Sequence, residues 1–156
     1  MDSCVVAPPM KVVFPFFAAF ILVAFSSMAQ TADVDARTLV KLPAPMQQHM
    51  LANMRDHLRA IGEIQDALGM GAYDKAANIA ETRIGVSSLD SHGASHMAPY
   101  MPKAMQDIGT GMHKAASQFA RTAEKAAVTG DMRQSITALA KVTQQCVACH
   151  AAFRTH

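Results

Sequence analysis

The sequence predicts an all-α protein built as an antiparallel four-helix bundle, and three observations carry that expectation. Apolar residues recur at alternating spacings of four and three along three long segments, the mark of a single helical face. No segment beyond residue 30 alternates apolar and polar residues over five positions, so no strand is expected there. The connections between helical segments are short, apart from one longer link, which suits helices running up and down beside one another.

Residues 30–44 read as an extended leader that ends at Pro43 and Pro45, and Pro45 suits the first turn of a helix. From there Met50, Met54, His57, Ile61, Ile64 and Leu68 form one stripe, and Gly69 and Gly71 stop the helix. A second, shorter helix spans about Asp74 to Ile84 and ends at Gly85. Residues 86–101 are expected to be a loop with at most one short helical turn. The third helix begins near Pro102; its stripe is Met101, Met105, Ile108, Met112, Ala115, Phe119, Thr122 and Ala126, and Thr129-Gly130 closes it. Asp131 is a good N-cap for the fourth helix, with Gln134 three residues on to complete a capping box. Ile136, Leu139, Thr143, Cys146, His150 and Phe153 form its inner stripe.

Residues 1–29 stand apart from this domain. Lys11 precedes an apolar run from Val12 to Phe25, and Ser27-Met28-Ala29 is a small-x-small cleavage site, so a secretory signal peptide removed after Ala29 is expected. The run is too short for a spanning helix, so no stable membrane insertion is expected after cleavage. Met10 sits directly before the signal and is the expected start of translation, which leaves Cys4 outside the product. The domain is then residues 30–156, and an exported, periplasmic location follows. A net charge of +2 without any basic run argues against a nucleic-acid partner.

Only Cys146 and Cys149 remain after cleavage. A disulfide across so short a loop would stabilise little. In Cys146-Val147-Ala148-Cys149-His150 the two sulfurs lie about one helical turn apart and can both add to the vinyl groups of one porphyrin. The adjacent histidine then reaches the iron, so the motif points to one covalent haem c. A thioredoxin-like pair would need a strand–helix–strand setting. A zinc site would be one ligand short.

The motif lies in the last helix, close to the end of the sequence, and the Phe153-Arg154 pair follows it. In these features, and in length and helix layout, residues 30–156 resemble the class II c-type cytochromes, the family of cytochrome c-prime and its low-spin relatives. The resemblance implies a four-helix bundle with haem near the C-terminal helix, held by Cys146 and Cys149, with His150 as proximal iron ligand. In the low-spin branch a first-helix methionine is the sixth ligand, and MRDHLR is similar to that stretch, so the implied distal ligand is Met54. Met50 and His57 lie on the same face as alternatives, and in cytochrome c-prime itself the position is empty and binds small gases. If His57 is not a ligand, it lines the pocket and can meet a haem propionate.

Arg154, at a fixed offset after His150, is the expected propionate or haem-edge contact, with Arg55 and Arg59 as further candidates. His92, His96 and Met97, with Met101, Met105 and Met112 downstream, raise a copper(I) alternative, although the helical methionines also suit a core around an irregular cofactor. No nucleophile, general base or substrate cleft can be argued, so no enzyme activity is expected. The expected function is electron transfer with a periplasmic redox protein as partner; a five-coordinate haem binding NO or CO is the alternative. The family resemblance also allows a homodimer.

Overall fold

The computed structural model describes residues 34–156. The expected signal peptide, Cys4 and the Met10 start lie outside the described residues.

The described chain is mostly helical: α1 (Ala44–Gly69), α2 (Tyr73–Arg83), the short α3 (Ala94–Met97), α4 (Lys103–Thr129) and α5 (Met132–Ala152). Local sequence accounts for most helix ends. Pro45 lies in the first turn of α1, as expected. At its other end Gly71 has φ +70°, a conformation that costs glycine little. The Ala72 N–H then reaches the Ala67 carbonyl at 2.8 Å and the Gly71 N–H the Leu68 carbonyl at 3.0 Å, so the last turn closes on itself. Gly130, at φ +72°, ends α4 in the same left-handed conformation. Asp131 caps α5 by accepting from the Gln134 N–H at 3.1 Å. The reciprocal half of the box differs: Gln134 Nε2 donates to the Asp131 carboxylate at 2.7 Å rather than returning to the Asp131 backbone. The Asp131 N–H bonds Thr129 Oγ1 instead.

The long link between α2 and α4 is more structured than a loop. It holds a 3₁₀ turn (Val86–Ser88), α3 and a second 3₁₀ turn (Ala98–Tyr100). A second departure is a strand pair where none was expected. β1 (Thr38–Leu39) pairs in parallel with β2 (Phe153–Arg154), in the register Thr38 to Phe153 and Leu39 to Arg154. The Val40 N–H extends it to the Arg154 carbonyl at 2.8 Å. Two residues are too few to show an alternating pattern; Val40, the next residue of the leader, is buried.

Close helix packing joins α1 to α2, α2 to α4 and α4 to α5. The core falls into two clusters. One is rich in alanine and is filled by Ile64, Leu68, Phe119, Leu139 and Val142. The other gathers the first half of α1, the start of α4 and the end of α5 around Met50, Met97 and Met105. The face of α5 is rotated from its expected stripe: Ile136 is exposed, and Ser135, Ala138, Leu139 and Val142 are buried. Small side chains at 135 and 138 allow α5 to lie close to α4, so size decided that face more than apolarity.

Candidate haem site

Between the two clusters lies an apolar cavity of about 720 Å³ lined by side chains of α1, α4, α5 and the α2–α4 link. That volume falls in the range of cofactor sites. Its wall includes Cys146, Cys149 and His150 from α5 and Met50, Met54 and His57 from α1. Residues 89 positions apart or more in sequence therefore share one chamber. A shallower groove of about 370 Å³ between α4 and α5, lined by Gln118, Arg133 and Lys141, does not include the motif.

The two cysteines are free and half-buried. Burial pushes both thiols above their ordinary pKa. They sit near the C-terminal end of α5, where no helix dipole favours a thiolate. A reactive redox pair needs the opposite environment, a helix N-terminus and a lowered pKa. Two neutral thiols facing an apolar chamber suit addition to a hydrophobic partner. His150 occupies the last turn of α5, where it is exposed, and its backbone carbonyl accepts from Arg37 Nη1 at 3.5 Å.

Met54 is half-buried and packs against the methionine cluster, whereas Met50 is buried within it. His57 is 6% exposed, and neither ring nitrogen has a partner. Each such buried group costs about 1–3 kcal/mol if left unsatisfied. Burial, and then the neighbouring His92 and His113 rings, push its pKa down to about 4, so it is neutral at pH 7. The orphaned nitrogens, the paired thiols and the apolar wall together fit a flat, hydrophobic, metal-bearing group such as haem c.

The three histidines form a cluster that the sequence did not reveal. Ring centroids of His57 and His92 lie 4.7 Å apart, those of His92 and His113 5.5 Å, and those of His57 and His113 6.1 Å. His113 Nδ1 sits 2.5 Å from the Ile84 carbonyl, and His92 Nδ1 lies 3.3 Å from Ser88 Oγ. His113 falls one residue off the expected stripe of α4, and its only sequence signal was a histidine beside a core methionine.

The arginines separate clearly. Arg55 lines the cavity. Arg59 pairs with Asp56 at 3.4 Å on the surface. Arg154 is not among the lining residues: its Nε lies 3.4 Å from Asp35 and its Nη1 donates to the His156 carbonyl at 3.0 Å. The candidate copper ligands are likewise divided. His92 joins the histidine cluster, His96 is exposed and Met97 is buried among methionines. Among the described residues no group of three or more His, Cys, Asp or Glu side chains could hold a metal ion. No described helix is long and apolar enough to cross a membrane.

No protein-family model matches this chain, and neither a curated protein nor a solved structure does.

Proposed function

We propose that this chain is a periplasmic electron-transfer protein with one covalent haem c, similar to the low-spin class II c-type cytochromes. The observation that carries the reading is the meeting of Cys146, Cys149, His150 and Met54 in one apolar cavity. The start of α4 and the end of α5 share the methionine cluster, and only three residues or fewer separate most neighbouring long helices. Both features favour the antiparallel four-helix bundle.

When bound, haem supplies a one-electron couple at its iron. Cys146 and Cys149 would hold it through thioether bonds, and His150 would ligate its iron. Met54, which lines the same cavity from α1, would be the second iron ligand. A neutral thioether favours reduced iron and raises the potential. The apolar wall excludes water, and Arg55 at the cavity is better placed than Arg154 to meet a propionate. Export by the segment before residue 30 places the protein where such haem is attached, and a small redox protein is the partner this role requires.

Carbon monoxide tests the carrier reading. The reduced protein should give a low-spin spectrum that carbon monoxide leaves unchanged. Reduced Met54→Ala protein should turn high-spin and take up the gas. A high-spin, gas-binding reduced wild type would instead identify a five-coordinate gas binder. Protein that never retains haem covalently would remove the reading altogether.

A further inference from the structure

The histidine cluster has no part in the reading above, and His57 is its chemically unfinished member. Among the described residues it alone has two buried side-chain nitrogens without a partner. Its neighbours are already engaged. Ser88 Oγ donates to the Gly85 carbonyl at 2.7 Å, so the contact with His92 Nδ1 requires the proton on the imidazole. His113 Nδ1 faces the Ile84 carbonyl, so it too carries its proton there. Neither ring forms a hydrogen bond with His57, although both crowd it.

His57 therefore presents a neutral imidazole to the cavity that holds the cysteines and His150. It lies three residues after Met54, one turn along α1, so the two side chains share a face. A soft thioether and a harder imidazole offered side by side have different preferences. Reduced iron is the softer acid and favours sulfur; oxidised iron favours nitrogen.

We propose that His57 is a second axial ligand of this site, taking the position opposite His150 in the oxidised protein while Met54 takes it in the reduced protein. The inference rests on the haem reading above. One electron from the redox partner converts iron(III) to iron(II). The iron–nitrogen bond to His57 breaks and an iron–sulfur bond to Met54 forms. Both ligands are neutral before and after, so no proton need move. The device would keep the iron six-coordinate in both states and slow electron exchange relative to a fixed-ligand carrier.

The wild-type protein provides the first test, without any substitution. Its oxidised form should be low-spin with two nitrogen ligands by electron paramagnetic resonance. It should lack the near-infrared sulfur-to-iron(III) charge-transfer band. Met54→Ala should leave that oxidised spectrum unchanged and open only the reduced form to carbon monoxide. His57→Phe should gain the charge-transfer band in the oxidised state. The band in oxidised wild type, or a high-spin oxidised Met54→Ala protein, overturns the proposal while leaving the haem reading intact. Reduced wild type with two nitrogen ligands overturns it as well. Protein without covalent haem overturns both, and a denaturing gel stained for haem distinguishes that case.

Discussion

The alanine-rich and methionine-rich regions of the core are built on the same long helices but solve opposite packing problems. In the first, Ala60, Ala67, Ala76, Ala80, Ala116, Ala120 and Ala123 are buried, and their small side chains let backbones approach closely. Ile64, Leu68, Phe119, Leu139 and Val142 then fill the remaining space. In the second, Met50, Met97 and Met105 are buried, with Met46, Met54 and Met101 partly so. Methionine is long, flexible and adaptable to irregular gaps. Where alanines close the helices together the protein is solid; where methionines line them a chamber opens beside Cys146 and Cys149. The contrast teaches that close packing and the open cavity belong to different stretches of the same helices.

The sharpest way to break that division is to damage the solid region. Phe119 is fully buried, and Phe119→Ala should cost about 3–5 kcal/mol in urea unfolding. The volume-conserving change Met105→Leu in the other region should cost less than about 1.5 kcal/mol. Comparable losses at the two sites would erase the distinction.

Overpacking gives the next effect. Ala123 is fully buried among the alanines, so Ala123→Leu should push helices apart and cost about 1–3 kcal/mol by the same measurement. A neutral result would show that this seam is looser than its burial implies.

Ionic anchoring of α2 to α1 should be weaker. Arg83 reaches Asp56 and Glu63, each at 2.6 Å, but both carboxylates are more than a third exposed. Arg83→Met should therefore cost about 1 kcal/mol, and less in high salt.

The smallest expected effect depends on pH. Hydrogen bonds from Ser117 and then Ser87 hold the Glu81 carboxyl below its ordinary range. Its contribution is complete above the unfolded pKa and is lost as pH falls through the lowered folded value. Between pH 6 and pH 3 the wild type should lose slightly more stability than Glu81→Gln, by less than about 1 kcal/mol. Equal losses would show that Glu81 does not contribute.

Helix boundaries were largely legible in the sequence because the residues that set them are local. Pro45, Gly71, Gly130 and Asp131 act within a turn of their own positions. The helical faces were less legible. Periodicity placed Ile136 inside, yet close contact between α4 and α5 selected Ser135 and Ala138 for their size. Of the cavity wall, Cys146, Cys149 and His150 stood out in the sequence because they are contiguous, and Met54 because it lay on the stripe. The histidine cluster could not, since His57, His92 and His113 meet only through the fold. Arg154 does not line the cavity, and its closeness to Asp35, which depends on the leader pairing with β2, had no local signal in the sequence.

The most direct test of the central claim is the intact mass of protein exported by cells that attach haem, measured after complete denaturation. One haem per chain should still be bound, and none in the Cys146→Ser, Cys149→Ser double variant. Folded wild-type protein that carries no haem, or sheds it on denaturation, would contradict it.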